Sequence, residues 1–221
     1  MRVLVIAPHP DDETLGCGGT LLKHIAAGDP VSWAIVTRGH EPQWTKGVLE
    51  NKEREISGVA EAYKFERVYR LNYPTTRVDS VSQADVIASF HQLVDEAKPT
   101  CVYLNHGGDV HTDHRIVFDS VMSAIKPFNT FRHGVKRILS YETPSSTDAA
   151  PPSCTNFQPN VFSDVTNFIE QKLEIMSLYA TEIQPYPLPR ALESIKALAR
   201  YRGATIGVEY AESFMLLREV S

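Results

Sequence analysis

Val3-Leu4-Val5-Ile6-Ala7 runs directly into Pro8-His9-Pro10-Asp11-Asp12-Glu13. An unbroken apolar run without alternation suits a central strand buried on both faces. Beyond the polar tip, residues 14–28 read as a helix, with Leu15, Leu22, Ile25 and Ala26 along one side and Gly28 as its stop. The same alternation then repeats. The pattern predicts a strand at 31–37, a loop at 38–47, a helix at 48–63, a strand at 67–71, a helix at 83–97 and a strand at 100–105. Strands alternating with helices of this length build βαβ units, hence a mostly parallel sheet with helices on both faces.

The second half keeps the pattern less strictly. Residues 106–113 form a polar loop, followed by a helix at 114–125 and a strand at 135–142. Residues 143–156 are rich in Pro, Ser and Thr and read as an ordered surface loop, because the pattern resumes with helices at 164–181 and 190–201 and a strand at 213–218. The expected architecture is a single α/β domain over residues 1–221.

Composition narrows the function. The chain has 221 residues, 43% of them hydrophobic and 22% charged, enough for one sizeable core and too apolar for disorder. With 22 basic and 27 acidic side chains the net charge is −5, which gives no electrostatic case for nucleic acid or an anionic membrane. Cys17, Cys101 and Cys154 are far apart, so there is no C-x-x-C pair, and the sparse odd count fits a reducing compartment. No apolar run approaches the ~20 residues of a membrane helix. The apolar start is too short for a signal peptide, so the expectation is a cytoplasmic protein. Self-association into a homo-oligomer is left open, such assemblies being common among soluble enzymes.

In an open α/β sheet, ligands bind beyond the carboxyl ends of the strands. Two such ends here carry both histidines and carboxylates. One is His9-Pro10-Asp11-Asp12-Glu13; the other is Asn105-His106-Gly107-Gly108-Asp109-Val110-His111-Thr112-Asp113-His114. A catalytic zinc needs three protein ligands, an open position for water, and a base that does not coordinate. His9 and Asp12, three residues apart at a strand-to-helix turn, can aim at one point with Asp11 alongside. His111 and His114 have the same spacing, so one can complete the site while the other faces the substrate. Acidic residues also suit the first turn of any helix. The coincidence of two such tips on the ligand-binding face is what favours a site.

Other motifs fail. Gly16-Cys17-Gly18-Gly19 lacks the third glycine of G-x-G-x-x-G, which weakens a dehydrogenase, and these glycines read instead as points of close helix approach. There is no G-K-[ST], and His40-Glu41-Pro42-Gln43-Trp44 has Trp where H-E-x-x-H needs its second histidine. His24, His91 and His133 read as ordinary helix or loop residues. His40 and His106 lie near strand ends, and Trp44 sits in the 38–47 loop, where it either packs or stacks on a ligand ring.

Ala7-Pro8-His9-Pro10-Asp11-Asp12-Glu13 together with His111-Thr112-Asp113-His114-Arg115 resembles the PIG-L/LmbE-like N-deacetylases over most of the chain. Thr112 and Pro8 depart from that family's usual residues without removing a candidate ligand. Arg202-Gly203, Ala211-Glu212-Ser213-Phe214 and Asn105-His106-Gly107-Gly108-Asp109 look like a bacterial sugar-biosynthesis branch. The resemblance implies a Rossmann-like fold and removal of the N-acetyl group from an N-acetylglucosamine-type sugar. It implies one Zn2+ per chain, with Fe2+ or Co2+ also suiting such ligands. It further implies His9, Asp12 and His114 as metal ligands, Asp11 as general base, His111 as the group that stabilises or protonates the reacting centre, and Asp113 as the orienter of a histidine. Arg54 and, more weakly, Arg38 would touch the substrate, an acetamido sugar. A phosphorylated substrate would need a basic patch, for which Arg38, Arg54, Arg77 and Arg115 are the candidates. Two other readings share these residues: an amidase acting on a different amide of an amino-sugar conjugate, and a non-catalytic metal- or nucleotide-binding module. A spare carboxylate and a spare histidine beside three ligands favour catalysis, since structural zinc sites use four closed ligands.

Overall fold

A computed structural model describes residues 1–129 and 133–221. The elements are β1 (Val3–Ala7), α1 (Asp12–Ala26), β2 (Val31–Arg38), α2 (Lys46–Tyr63), β3 (Arg67–Pro74), α3 (Gln83–Ala97), β4 (Cys101–Asn105), α4 (Thr112–Ala124), β5 (Arg137–Tyr141), β6 (Val161–Asp164), α5 (Ile169–Met176), α6 (Leu192–Ala204) and β7 (Ala211–Glu219). One seven-stranded sheet runs in the order β3-β2-β1-β4-β5-β7-β6. The first five of these strands are parallel, while β7 pairs antiparallel with both β5 and β6. Among the described residues no helix is long and apolar enough to cross a membrane.

β1 explains why its sequence does not alternate. Val3, Val5 and Ala7 face one core with Leu15, Leu21, Ile56, Val59, Ile175 and Ile195, from α1, α2, α5 and α6. Leu4 and Ile6 face the other core with Val86, Phe90, Val117 and Val121, from α3 and α4. Each Val, Leu or Ile so buried contributes roughly 1.5–3 kcal/mol, so β1 is firmly anchored. In register, Val5 lies beside Trp33 of β2 and Tyr103 of β4. The sheet grows from β1 towards β2 on one side and towards β4 on the other. That reversal opens a crevice at the carboxyl ends of β1 and β4, where ligands bind in such folds.

α1 is kinked. Cys17 has non-helical dihedrals, φ −144° and ψ 17°. A buried ion pair takes over at the break: Glu212 accepts from Gly19 N at 2.8 Å and Thr20 N at 2.7 Å. Lys172 Nζ donates to Glu212 Oε1 at 2.7 Å and to Leu15 O at 2.9 Å. Gly16 lies against β5 so closely that a Cβ there would fall 2.2 Å from the Tyr141 ring, which explains the glycine by close approach.

The structure departs from expectation in several places. α1 starts at Asp12 and stops at Ala26, rather than spanning 14–28, and α4 starts at Thr112 rather than at 114. β3 continues to Pro74 instead of ending at 71. The predicted helix at 164–181 is only Ile169–Met176, because its first residue closes β6, a strand the sequence did not signal. β6 is a four-residue edge strand, half-buried, without an apolar run.

Candidate metal centre and active site

Two turns build the site. After β1 the chain turns sharply at Pro8–Asp11, and Thr37 at the end of β2 holds the turn by donating from N and Oγ1 to Pro8 O, at 3.0 and 2.8 Å. Asp11 adopts φ 144°, a conformation costly for a residue with a Cβ. Its N donates to Glu13 Oε2 at 3.2 Å. The other Glu13 oxygen accepts from Thr14 Oγ1 at 2.6 Å and Tyr179 OH at 2.7 Å. Glu13 thus anchors the turn; burial raises its pKa to about 7. After β4, a Cβ on Gly108 would fall 2.0 Å from Thr155 O, so this loop too requires glycine.

His9, Asp12 and His114 converge. His9 Nδ1 lies 3.2 Å from His114 Nε2 and 3.4 Å from Asp12 Oδ2, and the remaining edge, His114 Nε2 to Asp12 Oδ2, is 3.3 Å. These atoms form a nearly equilateral triangle. A tetrahedron with such edges has its centre about 2.0 Å from each vertex, matching zinc–nitrogen and zinc–oxygen bonds of roughly 2.0–2.2 Å. The donor set and spacing therefore fit one small ion with a fourth position left open. Asp12 and His114 are almost fully buried.

Carboxylates stand behind both imidazoles. His9 Nε2 meets Asp113 Oδ2 at 3.0 Å, and His114 Nδ1 meets Asp109 Oδ2 at 2.6 Å. Such partners fix the tautomer and aim of ligating histidines. Burial opposes charge on both rings, yet their carboxylate neighbours outweigh it and raise His9 to about 9 and His114 to about 10. For Asp12 burial acts upward, but the two imidazoles win and hold it well below the ordinary carboxylate range.

His111 is different. It is the N-cap of α4, and its Nδ1 accepts from Asp113 N at 3.2 Å. Nδ1 is then unprotonated, and Nε2 carries the ring hydrogen. Burial, then the charges of His9 and His114, lower its pKa to about 4. One nitrogen from each of His9, His111 and His114 lies within 4.8 Å of the others, so His111 borders the centre. Asp11 is 4% exposed, and its carboxyl is pushed well above the ordinary range by burial, then by Asp12 and Glu182. Arg190 Nη1 lies 3.2 Å from Asp11 Oδ2.

A cavity of about 600 Å³ opens over this cluster. Arg38 lines it, as does Trp44. Arg54 does not: it is exposed on α2 with its guanidinium on Asn51, and the helix instead turns Val48, Leu49, Lys52, Glu53 and Ile56 inward. Helical periodicity explains this correction, since Arg54 stands two residues, more than half a turn, from Lys52 and Ile56. Arg77, Arg115, His40 and His106 also lie outside the cavity wall, so the four arginines considered for a phosphate do not gather there. The sequence reading did not single out Asp109, Lys52, Glu182 or Arg190. Asp109 lay in the quoted loop, but nothing signalled its partner. The loop at 143–156 contributes Thr143, Ser145 and Ser146 to the wall.

The strand order and a polar cluster at the switch point define a Rossmann-like α/β protein with a candidate ligand site. Residues 4–125 match the PIG-L family, described as GlcNAc-PI de-N-acetylase, and the chain belongs to that family. The family and its relatives are deacetylases, so the chain is a hydrolase. Similar proteins include YaiS of Escherichia coli K12, an uncharacterized deacetylase, 28% identical over 168 residues, covering 74% of this chain and 81% of that relative. The diacetylchitobiose deacetylase of Thermococcus kodakarensis is 24% identical over 227 residues, covering 96% of this chain and 81% of that one. The crystal structure of the conserved protein TT1542 from Thermus thermophilus superposes with a TM-score of 0.81 at 26% identity, covering 100% of this chain and 96% of that one.

Proposed function

We propose that the chain is a zinc-dependent N-deacetylase that removes the acetyl group from an N-acetylglucosamine-type sugar or conjugate, releasing acetate and a free amino sugar. The observation that carries this reading is the triangle of His9, Asp12 and His114 with a non-ligating carboxylate, Asp11, beside it. The names of the diacetylchitobiose deacetylase and of the GlcNAc-malate deacetylases of Bacillus support the substrate class.

Zinc bound there supplies an acidified water, its pKa lowered to roughly 7, and a Lewis acid for the acetamide carbonyl. The protein's own groups do the rest. Asp11 accepts the proton of the attacking water on its carboxylate, whose basicity burial, Asp12 and Glu182 raise. The same carboxyl then delivers that proton to the leaving nitrogen. His111 donates from Nε2 to the carbonyl oxygen as charge develops. The cap at its Nδ1 makes this donor a neutral imidazole. Trp44 and Arg38 in the cavity wall contact the sugar conjugate.

Acetate release from acetamido sugars tests the proposal, with bound metal measured on the same samples. The expected result is about one metal per chain, lost with turnover in His9→Ala. Asp11→Asn keeps the metal and loses turnover about 10²- to 10⁴-fold. Near-normal turnover in Asp11→Asn would overturn its role, and a protein that takes up no zinc would overturn the whole reading.

A further inference from the structure

The chain beyond residue 125, outside the stretch matched by the family, adds its own side chains to the cavity, among them Glu182 and Arg190. Arg190 is the one that reaches Asp11 among the described residues. Its Nη1 lies 2.9 Å from Glu182 Oε2 and 3.2 Å from Asp11 Oδ2. Among the described residues, it is the one hydrogen-bond donor to the Asp11 carboxylate. Glu182 is itself held, since Lys52 Nζ donates to its Oε1 at 2.6 Å and to Thr181 Oγ1 at 2.7 Å.

The backbone that carries Arg190 is stiff. Residues 184–190 read Gln-Pro-Tyr-Pro-Leu-Pro-Arg, and each proline fixes its own φ. The two ends of this loop are tied together: Arg190 N donates to Gln184 Oε1 at 3.2 Å, and Gln184 N donates to Arg190 O at 3.4 Å. The guanidinium is thus presented from a closed loop and braced by an anchored carboxylate. Asp11 is a side chain that gains from such a brace. Its φ of 144° sits on a strained turn, and a carboxylate free to rotate about that turn would spend part of its time aimed away from the reacting water.

We infer that Arg190 is a positioning residue: by holding Asp11 Oδ2 it fixes the carboxylate and leaves Oδ1 turned to the attacking water. The inference rests on Asp11 being the base of the proposed deacetylation. It differs from a substrate-binding role, which would act through KM, and from a purely structural one, which would act through stability.

The test compares metal-loaded wild type with Arg190→Ala, Arg190→Lys, Glu182→Gln and Asp11→Asn. It reads kcat and KM for acetate release from diacetylchitobiose, bound metal, and the thermal midpoint. Misplacing a reacting group by about 1 Å can cost on the order of 10²-fold. Arg190→Ala is therefore expected to lower kcat about 10- to 100-fold, less than Asp11→Asn, with KM within about twofold and metal content unchanged. Millimolar guanidinium ion should restore part of the lost kcat, and Arg190→Lys should retain more than Arg190→Ala. Glu182→Gln, which removes the brace together with a negative charge beside Asp11, should fall between wild type and Arg190→Ala. Unchanged kcat, an effect on KM alone, or a kcat loss that guanidinium does not rescue would overturn the inference. If Arg190→Ala does not fold, unchanged kcat in both Arg190→Lys and Glu182→Gln overturns it. Full turnover in Asp11→Asn would instead overturn the underlying reading of the base.

Discussion

His9 and Asp113, 104 residues apart in the chain, meet with Nε2 3.0 Å from Oδ2. Asp113 is itself held by Thr76 N at 2.7 Å and Val78 N at 3.3 Å, so a loop after β3 fixes the carboxylate that fixes the imidazole. Replacing Asp113 with Ala should weaken metal binding about 10- to 100-fold, the usual effect of removing such a partner. Chelator competition on the purified variant checks this; an affinity equal to wild type would contradict it. Asp109→Ala, behind His114, should act in the same direction.

The Lys172–Glu212 pair offers a second test. Removing one member of a buried pair typically costs about 3–5 kcal/mol. Lys172→Met and Glu212→Gln should each lower stability by an amount of that order in urea unfolding. Isolated buried pairs can often be replaced by apolar residues without loss. Here the pair also satisfies Leu15 O, Gly19 N and Thr20 N at the kink in α1, so an apolar double replacement should remain destabilised. Recovery of wild-type stability in the double variant would show that the kink does not need it.

Glu182 makes a pH prediction. Burial acts to raise its pKa, but Lys52 and Arg190 outweigh burial and hold it below the ordinary 4.5. A carboxyl depressed in the folded state contributes stability that is present above the unfolded value and lost as pH falls through the folded one. The stability gap between wild type and Glu182→Gln should therefore shrink as pH drops below 4.5. Urea midpoints at pH 7, 5 and 3.5 measure it. A gap that widened on acidification would contradict the sign.

Gly16→Ala should strain the contact with Tyr141, where the added Cβ falls 2.2 Å from the ring. Overpacking of this kind costs typically 1–3 kcal/mol. The helix that would have to move begins with Asp12, so a loss of metal affinity should accompany the lower thermal midpoint. Unchanged values of both would mean that Tyr141 yields without disturbing α1.

The central strands and the two polar tips were readable because each depends on contiguous residues: Val3–Ala7 is buried on both faces, and His9 with Asp12 or His111 with His114 lie within a single turn. What escaped depends on long-range contact. β6 becomes a strand by pairing with β7, and its own residues carry no apolar run. Arg190 reaches Asp11 from 179 positions away, and Glu182 holds that guanidinium in turn, with no motif linking the three. Arg54 is a candidate from the resemblance alone, since sequence leaves the rotation of α2 undetermined; Val48, Lys52 and Ile56 share the inward face.

The meeting of His9 and His114 also bears on how long the folded chain survives. They are separated by 105 residues. An ion gripping both would act as a removable cross-link across that loop. A covalent link closing a loop of about 100 residues lowers unfolded-chain entropy by the equivalent of roughly 4.7 kcal/mol in the chain-entropy account. Metal supply would then govern persistence as well as chemistry: starved of its ion, the protein would open more often and be degraded sooner.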